Sequence, residues 1–363
     1  MRIRTLVPAL ACLAAAPFAT AAEGGPTVKF DGFVDTAFTF VSSDTDVNGT
    51  ADETNSKFVY DIKLGVTATI TEKVTAQIDV VVNGDDGTAL IRQAFGAWQI
   101  NDMVDLKTGK FISDVGFVAA YATGLYRVNA GPIAELYGND QVGARVGYTK
   151  DAISAGLTVA NGLFADGEDN NNGQSDGVTT PQGNEKYAYV ADVVFTLPEK
   201  KGEVNGELAY DTDVTGKGGD GLHFGLNAKL TPSEPITVGA EFIYQSFSAP
   251  DGSTVEDQNN MGLLAMVNYK LGAAVSFPAS VTGMVQYVSV TDSGWVDPFN
   301  IGTGFDASVT ELAVALLTNP VGGDKLNLNF ELSYSMIGAE PSTGGTEVKT
   351  DSVAGAAELL YVF

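Results

Sequence analysis

The 363-residue chain carries 45 acidic against 20 basic side chains and one histidine, a formal net charge of −25 at pH 7. That excess of negative charge excludes nucleic acid as a partner, and the lone cysteine excludes an internal disulfide framework. Forty-two glycines beside 19 phenylalanines and 13 tyrosines suit many strands joined by tight turns.

At the N-terminus, Arg2 and Arg4 precede an apolar run from Leu6 to Ala16, and Ala19, Thr20, Ala21 and Ala22 form an A-x-A-like cleavage site. This is the pattern of a secretory signal peptide over residues 1–22. The run is too short to span a bilayer and is flanked and broken by Pro8 and Pro17. Cys12 is not a lipoprotein site, because Leu10 stands two places before it rather than three, so it is expected to leave with the leader. The mature chain then holds 18 basic against 45 acidic side chains, a net charge of −27.

Residues 23–363 read as a single β-barrel domain. Phe58, Tyr60, Ile62, Leu64 and Val66 alternate with Asp61, Lys63 and Thr67; Leu222, Phe224 and Leu226 alternate with His223 and Asn227; Leu328, Phe330, Leu332 and Tyr334 alternate with Asn329, Glu331 and Ser333. A period of two with one oily face is a strand signal, and helical periodicity fits none of these stretches. The alternation predicts about sixteen strands, within roughly 14 to 18. They begin near Thr27, Lys57, Val74, Leu90, Val104, Asp140, Ile153, Tyr187, Gly202, Gly221, Ile236, Gln258, Ser280, Glu311, Leu326 and Asp351. The uncharged stretch from Leu271 to Thr291 is long enough to raise a membrane helix, but Pro278 and the alternation of Val281, Gly283, Val285 and Tyr287 argue for a strand.

The connections alternate in length. Short ones fall at 71–73, 101–103, 150–152, 198–202, 231–235 and 319–325; long ones at 42–56, 112–139, 162–186, 212–220, 247–257, 291–309 and 337–350. Short turns on one rim and long loops on the other is the pattern of an all-β, antiparallel transmembrane barrel, with the short turns periplasmic and the long loops extracellular. Aromatics gather near both strand ends: Phe38, Phe58, Tyr189, Tyr210, Phe224 and Tyr244 toward the long loops, Trp98, Tyr148, Phe195, Tyr269 and Tyr361 toward the short turns. Two such girdles match two membrane interfaces. A soluble secreted β protein is the rival reading.

The stretch RQAFGAWQINDMVDLKTGKFISDVGF, continuing through AGPIAELYGNDQVGARVGYT, resembles the OmpL-like β-barrel porin family. The likeness is strongest over residues 92–162 and includes Gly109, Lys110 and Phe111. It implies a diffusion channel and carries over no binding residues. The chain ends GAAELLYVF, with Leu359, Tyr361 and Phe363 on one face. A terminal aromatic in this alternation resembles the signal by which outer-membrane barrels are recognised by their assembly machinery; the physical requirement is that the last strand pair with the first.

Charged residues fall on the parity opposite the oily face, among them Asp35, Asp61, Lys63, Asp79, Asp192, Glu207, Glu241, Glu311, Glu331 and Glu358. A barrel of about sixteen strands is wide enough to hold them in water. The third long connection differs from the others: GFVAAYATGLY is apolar and rich in small residues, which predicts a loop folded into the barrel. Arg92, Lys107, Lys110 and Arg145 on the wall, with Asp114, Arg127, Glu135 and Asp140 on or beside the loop, form the candidate pore constriction. Opposed charges there would set a transverse field that sorts solutes; simple salt bridging that pins the loop is the alternative.

Asp44, Asp46, Asn48 and Asp52 in the first long loop have the spacing of a calcium-binding turn, although Asn55 stands where the closing glutamate belongs. No other cofactor is expected. The only histidine, His223, lies on the lumen parity, so a lipid-face hydrolase is disfavoured and no enzyme is expected. The reading is a porin of a Gram-negative-type outer membrane that passes small hydrophilic solutes and ions, with weak cation preference. Its expected partners are outer-membrane lipid, lipopolysaccharide, the barrel assembly machinery and two further copies in a homotrimer. The alternative is a non-conducting structural or adhesin-type barrel.

Overall fold

The computed structural model describes residues 25–45, 53–84, 88–113, 116–118, 121–137, 140–163, 187–212, 219–249, 257–291, 304–322, 325–342 and 348–363. The leader assigned to residues 1–22 lies outside them. The first strands are β1 (Thr27–Thr45), β2 (Glu53–Thr71), β3 (Val74–Asn83), β4 (Ala89–Gln99), β5 (Val104–Phe111) and β6 (Gln141–Lys150). Next come β7 (Ile153–Ala160), β8 (Ala188–Thr196), β9 (Gly202–Asp211), β10 (Gly221–Ser233) and β11 (Ile236–Phe247). The last are β12 (Gln258–Lys270), β13 (Ala279–Thr291), β14 (Phe305–Thr318), β15 (Leu326–Pro341) and β16 (Val348–Val362). Each pairs antiparallel with its chain neighbours, and β1 pairs with β16, closing a 16-strand barrel.

Closure follows from the physics of the lipid phase, where an unpaired strand edge would leave its backbone polar groups unsatisfied. Along the seam, Phe33 stands opposite Val362 and Thr36 opposite Leu359. All but three strands begin within one residue of the start expected from alternation. The exceptions are β2, β14 and β16, which begin at Glu53, Phe305 and Val348, so the connections expected at 42–56, 291–309 and 337–350 are shorter than the sequence suggests. At β2 the ladder continues through polar residues, as where Ser42 pairs with Thr54, and polar residues on both faces give no alternation to detect; at β14 the added Ala307 and Val309 are buried on the parity of Glu311, the reverse of the oily-outward pattern.

The outward face is apolar. Leu157, Leu208, Leu226, Val267, Leu312, Val314 and Leu332 are exposed on the wall, while Asp79, Glu207, His223, Gln286, Glu331 and Glu358 are buried within. Trp98, Tyr148, Phe195, Tyr269 and Tyr361 are exposed toward one rim, and Phe38, Phe58, Tyr189, Tyr210, Phe224 and Tyr244 toward the other. A soluble sandwich turns its oily faces inward; this barrel turns them out, between two aromatic belts, and is a multi-pass outer-membrane type. Among the described residues no helix is long and apolar enough to cross a membrane. Residues 271–291 resolve into a 3-10 turn at Gly272–Ala274 and strand β13.

Candidate functional site: the inward third loop

The chain between β5 and β6 turns into the barrel. It contains two 3-10 turns, Ala122–Gly124 and Pro132–Leu136. The second is preceded by Gly131 at φ 80°, a left-handed conformation that glycine adopts freely, and Pro132 presets its first φ.

The loop is fastened to the far wall by burial and by hydrogen bonds. Ile133 and Leu136 pack in one buried cluster with Ile243, Leu264, Met266, Met284, Val288 and Val290 from the inner faces of β11–β13. Gly262 makes room for them, since a Cβ there would lie 2.9 Å from Leu136 Cδ1 and 3.0 Å from Ile133 Cγ1. Removing this apolar surface from water contributes roughly 25 cal/mol per Å². Polar ties accompany the packing: Ile133 N donates to Gln286 Oε1 (3.0 Å), Gln286 Nε2 to the Ala130 carbonyl (3.2 Å), and Gln245 Nε2 to the Leu136 carbonyl (2.7 Å).

Carboxylates on the wall supply the strongest ties. Arg127, 3% exposed, donates Nε to Glu331 Oε2 (3.1 Å) and Nη2 to Glu331 Oε1 (2.6 Å), and its Nη1 pairs with Glu311. The Glu331 carboxylate also accepts the backbone N–H groups of Val128 (2.7 Å) and Asn129 (3.1 Å). Burial would lower the Arg127 pKa, but the hydrogen bonds it donates to Glu331 and Glu311 outweigh it and hold the guanidinium charged. Glu241 accepts the Phe117 N–H (2.7 Å) and the Tyr137 hydroxyl (2.5 Å); burial, followed by the Glu241 charge, pushes the Tyr137 pKa well up. On the near wall, Tyr121 donates to Asp79 (3.0 Å), its ring packs edge-on to Phe33 at 6.1 Å, and Lys63 Nζ lies 4.7 Å from its centroid. The loop therefore reaches from β1–β3 across to β11–β15.

Of the eight candidate constriction residues, the seven that are described do not form one cluster. Asp114 lies outside the described residues. Arg92 is the extra residue of a β-bulge opposite the Asp79–Val80 step, and it pairs with Asp140, Nη2 to Oδ1 at 3.0 Å and Nε to Oδ2 at 2.8 Å. Lys110 Nζ stands 3.9 Å from the same carboxylate. Burial raises the Asp140 pKa, and Arg92 and then Lys110 pull it back. Arg145 binds Asp192 through Nη2 at 2.9 and 3.1 Å. Lys107, opposite Arg145 in register, lies 5.2 Å from the ring centroids of both Phe95 and Phe111. Glu135 remains open to the lumen, yet the enclosing wall desolvates it and raises its pKa. Arg127 departs furthest from expectation: expected on the loop near the wall that carries Arg92, Lys107 and Arg145, it reaches instead to Glu311 and Glu331 on β14 and β15.

Sequence reasoning missed the docking surface itself. The signal was present in β11–β13, where Leu263 and Leu264, Met266 and Val267, and Met284 and Val285 make both faces apolar. A lumen face that is oily needs a cover, and the third loop provides it. His223 is enclosed, its Nε2 3.2 Å from Glu207 Oε1 and its Nδ1 3.3 Å from Gln245 Nε2, which also holds the loop carbonyl. In the candidate calcium turn Asp44 belongs to β1, while Asp46, Asn48 and Asp52 lie outside the described residues.

No protein-family model and no curated protein matches the chain, so the resemblance to the OmpL-like family rests on the quoted residues alone. Solved structures do match. The outer-membrane channel DcaP of Acinetobacter baumannii superposes with a TM-score of 0.62 at 14% identity, over 94% of this chain and 99% of that one. The anion-selective porin of Comamonas acidovorans gives 0.60 at 12%, over 93% and 100%. OmpT of Vibrio cholerae in its trimer form gives 0.58 at 14%, also over 93% and 100%. At these identities the likeness establishes the fold, which is that of outer-membrane porins and channels.

Proposed function

We propose that the protein is a porin of a Gram-negative-type outer membrane, a water-filled channel through which small hydrophilic solutes and ions diffuse passively. The observation that carries this reading is the third loop held inside a charged 16-stranded barrel, which narrows the lumen with fixed, oriented charge. No reaction is involved. Weak cation preference is the expected selectivity, because acidic side chains outnumber basic ones on the inward face, where Asp79, Asp192, Glu207, Asp211, Glu241, Glu311, Glu331 and Glu358 are buried against Lys110 and Arg127. The trimer form of the Vibrio protein supports a homotrimer here, and the terminal aromatic strand supports recognition by the assembly machinery, with lipid and lipopolysaccharide around the wall.

Planar-bilayer recording of purified protein tests this. Stepwise conductance with a reversal potential on the cation side is expected. A folded barrel that inserts and passes no current would instead establish the non-conducting alternative.

A further inference from the structure

Resting on the channel reading, we propose that Lys107 is the anion-contacting residue of the pore, the lumen charge that limits how strongly the channel prefers cations. The basis is how the inward basic side chains between the rims are neutralised. Lys63 pairs with Asp31 at 3.0 Å and Asp79 at 3.2 Å, Arg92 with Asp140 at 2.8 Å, buried Lys110 with the same Asp140 at 3.9 Å, Arg145 with Asp192 at 2.9 Å, Lys229 with Glu203 at 2.8 Å, and Arg127 with two glutamates. An anion approaching any of these meets the partner carboxylate as well.

Lys107 differs. It shares the inner face with Arg145 and with Phe111, which is 1% exposed, and among the described residues no carboxylate lies within ion-pair distance of it. Its ammonium rests between the rings of Phe95 and Phe111, both 5.2 Å away. An aromatic face attracts a cation through its quadrupole and leaves its net charge uncancelled. Asp105, two residues along the same strand, is turned over Gly147, where a Cβ would lie 2.4 Å from its Oδ2. Lys107 is half-buried and keeps contact with the lumen. A small anion, such as chloride or a carboxylate, can therefore approach this positive charge without displacing a competitor, while the acidic remainder of the lumen draws cations.

The test compares reversal potentials in a potassium chloride gradient for the unaltered chain, Lys107→Met, Lys107→Arg and Lys150→Met, all first shown to be heat-modifiable barrels. Lys150 is an exposed lysine at the end of β6, on the short-turn rim. The chloride-to-potassium permeability ratio is expected to fall about twofold or more in Lys107→Met, to recover in Lys107→Arg, and to stay near the parent value in Lys150→Met. Should Lys107→Met refuse to fold, Lys107→Cys labelled with a positively charged aminoethyl thiosulfonate is expected to regain the anion permeability lost before labelling. An unchanged ratio in Lys107→Met, or an equal change in Lys150→Met, would overturn the proposal while leaving the channel intact. Absence of current from the unaltered chain would overturn the channel reading and this inference with it.

Discussion

Gly32 and Phe363 exchange both backbone hydrogen bonds across the barrel seam, Gly32 N to Phe363 O at 3.2 Å and Phe363 N to Gly32 O at 3.0 Å, and the Phe363 ring fills the space that a side chain at Gly32 would need. A Cβ at that position would fall 2.7 Å from Phe363 Cζ and 2.2 Å from the Lys63 carbonyl oxygen. The terminal aromatic is thus seated on the first strand, at the seam where β1 and β16 close the barrel. Deleting Phe363, or Phe363→Asp, is expected to leave secretion intact and reduce insertion, because the closing pair loses its lipid-facing anchor. Gly32→Val should cause a similar loss. Heat-modifiability on gels reports it, and normal levels of folded barrel in both variants would refute the role.

Arg127→Met should free the third loop. It leaves the buried carboxylates of Glu311 and Glu331 without their guanidinium, and breaking a buried pair of this kind costs about 3–5 kcal/mol. Expected outcomes are a lower unfolding temperature in detergent and a larger, noisier single-channel conductance. A quiet, unchanged conductance would mean that the remaining ties, through Ile133, Leu136, Gln245, Gln286 and Glu241, hold the loop without Arg127.

Arg145→Met should strengthen cation preference. Its guanidinium is bound to Asp192, so the substitution removes the positive member of a neutral pair and leaves the carboxylate in the lumen wall. Reversal potentials measure it. A shift toward anions would show that Arg145 does not act through Asp192.

Selectivity should also depend on pH through Glu135. Desolvation raises its pKa, so the folded protein takes up this proton at a higher pH than the unfolded chain does. The sign follows: in the interval between the ordinary and the raised pKa the native state binds more protons, so its stability falls as pH rises through that interval. Over the same interval acidification removes one negative charge from the loop, and cation preference should weaken. Glu135→Gln should remove that contribution from a titration of reversal potential; a titration curve unchanged by the substitution would assign the effect to other carboxyls.

The barrel was legible because the bilayer imposes a local rule. Each lipid-facing residue has to be apolar whatever surrounds it, so Leu328, Phe330, Leu332 and Tyr334 announce their strand without knowledge of its neighbours. The inward course of the third loop was legible for the same reason, since GFVAAYATGLY suits no exposed surface. Which charges meet inside was decided by tertiary structure. Arg127 reaches Glu331 across 204 residues of chain, and Arg92 reaches Asp140 across 48 through a bulge that the alternation does not reveal. Ion pairing depends on distances set by barrel closure and by where the loop lands. Sequence spacing can place Arg92, Lys107, Arg127 and Arg145 inside the barrel, but only the closed fold determines which of them still presents its charge to water.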